Sequence, residues 1–225
     1  PDYALAGRSG TLRGMPRPTC SRCQRPLGHC LCPLIPDLES RTRVLILQHP
    51  SEVGHALKTS GVPRDDVFLV TKLWNSEQGY DKTLAAFDAS MKRLGLGGDD
   101  DYLDLFLIHW PVPAANLFVE TFKAFAHLRD QGRIHSIGVS NFAPEHLTML
   151  IDSTGIVPAV NQVELHPYFP QAEQLAYDAG HGILTESWSP LPRGENLLAE
   201  PVIVEIAEAN GITPAQTVLA WHATR

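Results

Sequence analysis

Short apolar runs alternate with longer segments of helical periodicity from about residue 67 to the end of the chain. This pattern predicts strands near residues 67–71, 104–108, 135–139, 158–163 and 183–187. It predicts helices over residues 81–95, 117–131, 144–152, 171–180, 201–209 and 214–224, and a proline stands at the start of three of them, as first helical turns favour. Regular alternation of strands and helices indicates right-handed βαβ units and a parallel sheet.

Polar or aromatic residues end five of the apolar segments. These segments are Val70-Thr71-Lys72-Leu73-Trp74, Leu107-Ile108-His109-Trp110-Pro111, Ile137-Gly138-Val139-Ser140-Asn141-Phe142, Val160-Asn161-Gln162-Val163-Glu164 and Ser187-Trp188-Ser189-Pro190-Leu191. In a parallel barrel the strands are buried and the chemistry lies at their C-terminal ends. We therefore expect an α/β, barrel-like fold with a site built from these segments.

The composition is that of an ordinary globular protein, with 225 residues, 44% of them hydrophobic and 19% charged. No apolar run approaches the roughly 20 residues that a membrane helix needs, and the first residues lack a signal-peptide pattern. We therefore expect a cytoplasmic protein without a membrane partner, and the oligomeric state stays open. The absence of an initiator Met before Pro1 indicates an incomplete or trimmed N-terminus.

Charge is distributed unevenly along the chain. Residues 1–50 hold seven of the 18 basic residues and three of the 25 acidic ones, a net charge of +4, which leaves −11 for the other residues. The basic segment could contact the phosphates of a nucleic acid, although the acidic remainder opposes this. The alternative is that residues 1–16 form an arginine-rich flexible tail.

Four cysteines lie within 13 residues, in the spacing C-x2-C-x6-C-x-C. Four thiolates in short loops can bind a tetrahedral zinc ion, and the intervening Pro26 and Gly28 favour the turn that such a site needs. The alternative is a loop of reduced thiols. The spacing predicts a structural zinc site at Cys20, Cys23, Cys30 and Cys32.

Taken together, the five strand-end segments resemble the aldo-keto reductase family, from about residue 52 to residue 225. The resemblance implies a TIM-like (β/α)8 barrel over residues 58–225 and NADP(H)-dependent reduction of a small-molecule carbonyl substrate. It implies catalytic roles for Lys72 and His109 and a substrate pocket walled by Trp74 and Trp110. Each residue also has an ordinary alternative, such as a surface lysine, a packed histidine or aromatic packing over the barrel mouth.

The same resemblance assigns the cofactor-binding residues. It implies that Ser140, Asn141 and Gln162 bind the nicotinamide carboxamide and that Trp188 stacks on the nicotinamide ring. Backbone contacts of Ser189 and Leu191 would hold the pyrophosphate. For Asn141 there is a competing interpretation, in which its side chain caps the helix that begins near residue 144.

Two positions depart from the family pattern. In that family a Tyr donates the proton and an Asp holds the lysine, and counting back from Val53 places Leu47 and Thr42 at these positions. The family's last strand and its adenosine-phosphate residues are also missing. We expect five of eight barrel strands, an open barrel and impaired turnover, with residues 44–48 replacing the second strand.

Residues 17–57 resemble the start of DTW-domain proteins, which transfer an aminocarboxypropyl group from S-adenosylmethionine to uridine in transfer RNA. The Cys20–Cys32 pattern carries this resemblance, but the Asp-Thr-Trp motif itself does not occur. The two resemblances predict a chimera with a junction near residues 52–57. Three functions stay open: an impaired NADP-dependent reductase, a tRNA-binding or tRNA-uridine-modifying fragment, and a non-catalytic remnant.

Overall fold

The computed structural model describes residues 43–44, 50–98, 101–191 and 196–223. All of these lie in one compact unit, residues 42–225. The flexible tail, the cysteine loop, Thr42 and Leu47 lie outside the described residues.

The described part of the chain contains seven strands and seven α-helices, which alternate except where two strands and, at the end, two helices follow each other directly. The strands are β1 Arg43–Val44, β2 Val67–Phe68, β3 Val70–Leu73, β4 Leu103–Ile108, β5 Ile134–Ser140, β6 Val160–Glu164 and β7 Leu184–Trp188. The helices are α1 Pro50–Ser60, α2 Tyr80–Leu94, α3 Phe118–Asp130, α4 Pro144–Thr154, α5 Ala172–Gly180, α6 Pro201–Asn210 and α7 Pro214–Ala223.

Every strand pairing is parallel, and neighbouring strands follow each other in sequence. Strands β3 to β7 form one five-stranded sheet in the order β3-β4-β5-β6-β7, and β1 pairs with β2. Sequential parallel strands with a helix after each are the repeating unit of a (β/α) barrel. This confirms the predicted α/β class and the five predicted strands. The strand predicted over residues 67–71 corresponds to β2 and β3 together, and the bounds of the other four differ by no more than two residues.

Helix α1 is the element that the sequence pattern did not predict. Its apolar face is thin, with Val53 as its fully buried aliphatic side chain. At Gly54 a Cβ atom would lie 2.5 Å from the carbonyl oxygen of Leu94, so glycine permits the close approach of α1 to α2. The predicted strand over residues 44–48 overlaps β1 at Val44, and residues 45–48 lie outside the described part.

The main core lies between the sheet and helices α2 and α3. Phe106 of β4 stacks on Phe125 with ring centroids 4.3 Å apart and meets Phe87 edge-on at 5.8 Å. All three rings are fully buried, and each contributes on the order of 1.5–3 kcal/mol through burial. This core fixes the sheet from one side and so fixes the strand ends.

The opposite face of the sheet carries a smaller apolar cluster of Leu105, Leu107 and Val160. A Cβ at Gly138 would meet the Val160 carbonyl oxygen at 2.7 Å and Leu107 Cδ2 at 2.8 Å, so only glycine fits there. Leu184, the register partner of Val160, is 66% exposed. No helix in the described part of the chain is both long and apolar enough to cross a bilayer.

Candidate active site

The sequence-predicted site residues stand at or just beyond the C-terminal ends of consecutive strands. Lys72 lies in β3 and Gln162 in β6, His109 follows β4, Asn141 follows β5, and Trp188 ends β7. Because these strands are parallel neighbours, their C-terminal ends meet along one edge of the sheet. The fold therefore brings the predicted residues to one place.

The Asn141 side chain connects three strand ends. Its Nδ2 donates to the backbone oxygen of His109 at 2.9 Å and to Ser140 Oγ at 3.1 Å, and its Oδ1 accepts a bond from Trp188 Nε1 at 2.8 Å. Asn141 has a φ of +63°, a left-handed conformation that asparagine tolerates better than most residues. Helix α4 instead begins after Ala143, so the competing interpretation of Asn141 as its cap is wrong.

Gln162 joins this network through its backbone and also carries a buried, unpaired side-chain atom. The Ser140 hydroxyl and the backbone N–H of Asn141 both donate to the Gln162 backbone oxygen, at 2.7 and 3.0 Å. Its side-chain Oε1 is buried and has no hydrogen-bond partner among the described residues. An unpaired buried acceptor is costly unless a ligand completes it, and a primary amide supplies the matching donor. The residues present therefore fit a nicotinamide carboxamide.

Lys72 and His109 form the charged part of the site. Burial lowers the pKa of His109, and the nearby Lys72 ammonium lowers it further. Burial also lowers the pKa of Lys72, while the Glu186 carboxylate acts in the opposite direction. Lys72 is exposed overall, so solvent on its open side moderates both influences. The arrangement favours a neutral imidazole beside a cation at neutral pH.

Three tryptophans lie at these strand ends. The Trp74 ring lies 4.9 Å from the His109 ring, tilted by 35°, and remains 63% exposed. Trp110 is 43% exposed, and its carbonyl oxygen accepts a bond from Gln78 Nε2 at 2.7 Å. Trp110 and Trp188 line a cavity of about 190 Å³, together with Asn141 and Phe169. The aromatic rings give the site apolar walls around a few polar groups.

Glu186 is a site residue that the sequence motifs did not indicate. It is the register partner of Gln162, two residues before Trp188, and its charge reaches Lys72. The period-two alternation of strand β7 was the available signal, since Glu186 and Trp188 share one face. In the described part of the chain, Glu186 is the carboxylate that favours the ammonium form of Lys72.

Ser189 and Leu191 begin the segment after β7. Ser189 has a φ of +49°, so the chain turns sharply there, and Leu191 packs against the cluster of Leu197, Ile203 and Val218. The following residues, 192–195, lie outside the described part. Contacts of Ser189 and Leu191 to a pyrophosphate stay a prediction.

Comparison with known proteins agrees with this arrangement. The model of the Aldo/keto reductase family matches residues 49–225, which is most of the chain. The chain belongs to this family. The match includes residues 52–57, so this stretch of helix α1 lies within the reductase portion. The DTW-like interpretation then depends on residues 17–48, outside the described residues except for β1, and stays a prediction.

Relatives of this aldo/keto reductase include proteins that are named as reductases. An aldo-keto reductase of Mycolicibacterium smegmatis is 67% identical over 175 residues, which cover 78% of this chain and 62% of the relative. The methylglyoxal reductase of Salmonella typhimurium is 47% identical over 176 residues, with the same coverage of 78% and 62%. The chain therefore spans about three fifths of the length of these relatives.

A solved structure also matches the fold. A mutant of the protein Gox0644, crystallised in complex with NADPH, superposes with a TM-score of 0.71 at 47% sequence identity. The superposition covers 78% of this chain and 61% of the Gox0644 chain. The sheet and helices described above therefore have the arrangement found in this NADPH-bound homologue.

Proposed function

We propose that this aldo/keto reductase is an NADP(H)-dependent oxidoreductase that reduces small aldehydes or ketones. The observation that carries the proposal is the network around Asn141, with the unpaired Oε1 of Gln162 beside it. Four consecutive strand ends contribute to this network. Support also comes from Gox0644, a homologue that binds NADPH, and from the relative named as a methylglyoxal reductase.

Ser140, Asn141 and Gln162 would hold the nicotinamide carboxamide, and Trp188 would stack on the ring. The Gln162 Oε1 would accept from the carboxamide amine, while Asn141 Oδ1 keeps an acceptor lone pair beyond its bond to Trp188. When bound, the cofactor supplies the hydride that reduces the carbonyl carbon. The indole bond from Trp188 to Asn141 would fix the orientation of the stacking ring.

His109 and Lys72 would act on the carbonyl oxygen of the substrate. A neutral His109 can donate a hydrogen bond to that oxygen, and the Lys72 cation would stabilise the negative charge that develops there. Trp74 and Trp110 would exclude water from the reacting group. The roles of His109 and Lys72 both need the lowered pKa of His109, because an imidazolium beside the Lys72 ammonium would add repulsion.

We further propose that turnover is slow. By the sequence count, Leu47 stands where the family has its proton-donating Tyr, and Thr42 where it has the Asp that holds the lysine. A leucine has no proton to give, and loss of a positioned acid costs on the order of 10²–10⁴-fold in rate. Glu186 acts on Lys72, but it does not replace the missing acid.

A small α-dicarbonyl such as methylglyoxal is the substrate class we propose to test first. The support for this class is the relative that is named as a methylglyoxal reductase. The test is methylglyoxal-dependent oxidation of NADPH by the purified chain, with Asn141→Ala as the site variant. Asn210→Ala is the matched control, because Asn210 is exposed and bonds its own helix at Ile206.

We expect measurable activity in the wild type and in Asn210→Ala, and at least a tenfold loss of kcat/KM in Asn141→Ala, from the lost hydrogen bonds. Equal activity in all three proteins would contradict the proposed site. No activity with methylglyoxal, but saturable NADPH binding, would leave the cofactor assignment and reject the substrate class.

We also propose a structural zinc ion at Cys20, Cys23, Cys30 and Cys32. Among the described residues, no group of three His, Cys, Asp or Glu side chains is placed to hold a metal ion. Elemental analysis should find one zinc per chain, and Cys20→Ser with Cys23→Ser should lose it. A wild-type protein without zinc after purification in reducing, chelator-free buffer would contradict this proposal. No observation from the described residues favours the tRNA alternative.

A further inference from the structure

Helix α5 carries a fully buried carboxyl group that the proposed chemistry does not use. Asp178 accepts hydrogen bonds from Gln174 Nε2 at 2.8 Å and from Thr185 Oγ1 at 2.9 Å. The Nδ2 of Asn161 lies 3.4–3.5 Å from both of its oxygens. Burying a carboxyl group is costly without such donors, so the hydrogen bonds from these three side chains explain how Asp178 can be buried here.

Asn161, in strand β6, holds the backbone of the turn after strand β5. Its Nδ2 donates to the Phe142 carbonyl oxygen at 3.0 Å, and its Oδ1 accepts from the Phe142 amide at 3.4 Å. The side chain of Asn161 is fully buried. It therefore pairs with both backbone groups of Phe142, much as a neighbouring strand would.

Phe142 directly follows Asn141, the centre of the cofactor network. Asn141 has its left-handed φ of +63°, a conformation that persists only where the surroundings enforce it. Its backbone amide is fixed on one side by the bond to the Gln162 oxygen, and the Phe142 backbone is fixed on the other by Asn161. The position of the Asn141 side chain depends on both of these constraints.

We infer that Asp178 is a positioning residue for the cofactor site, which acts by fixing the orientation of the Asn161 amide and hence the turn that presents Asn141. This inference rests on the proposed function. A carboxylate offers only acceptors, so it draws the NH2 end of Asn161 toward itself and toward the Phe142 oxygen. The Oδ1 end is thereby left for the Phe142 amide.

A flipped amide would place the NH2 group of Asn161 against the Phe142 N–H. The turn would then lose both hydrogen bonds, because a donor would face the Phe142 N–H and an acceptor would face the Phe142 carbonyl oxygen. Burial raises the pKa of Asp178, and the bonds from Thr185, Gln174 and Asn161 oppose this. One oxygen remains an acceptor in either protonation state, so the orientation of Asn161 is defined in both.

Two substitutions at Asp178 and one control separate positioning from general stability. Asp178→Leu removes both acceptors and keeps the branched shape, with two methyl groups in place of the two oxygens. Asp178→Asn keeps a carbonyl oxygen for Asn161, since the Thr185 hydroxyl can accept from the new amide. Thr185→Val is the control, because it removes a donor to the same carboxyl group but leaves the bond between Asp178 and Asn161 intact.

We expect Asp178→Leu to weaken NADPH binding by about tenfold and Asp178→Asn and Thr185→Val by less than about threefold, measured by tryptophan emission in folded protein. In an Asn161→Leu background, Asp178→Leu should add nothing, because the connecting side chain is gone. A Kd that rises equally with Asp178→Leu and Thr185→Val, or an additive double variant, would overturn the inference.

A second readout keeps this test independent of the cofactor. Hydrogen exchange of the Phe142 amide and the Trp188 indole N–H should accelerate at least tenfold in Asp178→Leu relative to Thr185→Val. If the wild type binds no NADPH but Asp178→Leu still shows this acceleration, the proposed function fails and the positioning role stands. Unchanged exchange at Phe142 would overturn the positioning role whatever the cofactor result.

Discussion

The two ends of the five-stranded sheet are built in opposite ways. At the N-terminal end, Arg64 donates to Asp104 Oδ2 and to the Tyr102 carbonyl oxygen, both at 2.8 Å, and to the Val67 carbonyl oxygen at 2.6 Å. The Leu69 amide donates to the same Asp104 oxygen at 2.7 Å. At this end charges and backbone groups pair with one another, although the Nε atoms of Arg64 and Arg133 lack a partner among the described residues.

The C-terminal end leaves polar atoms unpaired. Seven buried side-chain nitrogen or oxygen atoms of the described residues lack a hydrogen-bond partner, and five of them belong to residues at this end. They are Asn75 Oδ1, Gln78 Oε1, His109 Nδ1, Gln162 Oε1 and His166 Nδ1. Because such atoms cost stability, their concentration at one end indicates that this end is built for a ligand and the other for stability.

The largest effect should come from restoring the two positions at which the sequence departs from the family pattern. Leu47→Tyr with Thr42→Asp should raise the rate of NADPH-dependent carbonyl reduction by on the order of 10²–10⁴-fold, because it returns the proton donor and the carboxylate beside Lys72. The same pair with Lys72→Met is the control and should show no gain. An unchanged rate in a folded double variant would mean that the sequence count back from Val53 is in the wrong register.

The N-terminal end should respond to substitution through stability alone. Asp104→Leu removes the carboxylate that pairs with Arg64 and that accepts from the Leu69 amide, and should lower the free energy of unfolding by about 2–3 kcal/mol. The exposed Asp130, paired with Arg129, is the control, and Asp130→Ala should cost less than about 1 kcal/mol. Denaturant titration measures both, and NADPH affinity should change less than twofold. A large loss of affinity in Asp104→Leu would break the distinction between the ends.

Gln162 should show the reverse behaviour. Gln162→Leu removes an unpaired buried oxygen, so the free energy of unfolding should stay the same or rise by up to about 1 kcal/mol. NADPH affinity should fall by about tenfold, because the carboxamide loses its acceptor. Gln131→Leu, at the exposed C-terminal end of α3, serves as the control for both measurements. Lower stability without a change in affinity would show that the Gln162 oxygen has a structural role.

The smallest effect is a pH dependence that arises from His109. Its pKa is lower in the folded chain than the ordinary value of 6.5, so the unfolded chain binds the proton more strongly. Stability should therefore be complete above pH 6.5 and decline as the pH falls toward the folded pKa. Between pH 8 and pH 5, the melting temperature of His109→Gln should fall by less than that of the wild type. Parallel curves of melting temperature against pH for the two proteins would contradict a lowered pKa of His109.

The sequence predicted the fold well because local signals and global topology agree. Apolar runs end at Lys72, His109 and Asn141, and the prolines at 144, 201 and 214 begin helices α4, α6 and α7 as expected. Helix α1 was missed because its apolar face is thin and Gly54 weakens the helical pattern. The need for glycine there appears only when α1 packs against the end of α2.

The connections within the site could not be predicted in the same way. Glu186 reaches Lys72 only through the register that places it beside Gln162, and Asp178 reaches Asn161 from helix α5. Both depend on which face of an element meets which neighbour, and a single sequence does not specify that geometry. The motif residues were visible, but the groups that position them were not.

The most direct test of the central claim is an NADPH titration of the purified, folded chain, followed through tryptophan emission, with Trp188→Phe and Trp221→Phe measured in parallel. Our account predicts saturable quenching in the wild type, most of it lost in Trp188→Phe and retained in Trp221→Phe. Absence of saturable quenching in a wild-type sample shown to be folded would contradict the claim that the C-terminal end of this sheet is a nicotinamide cofactor site.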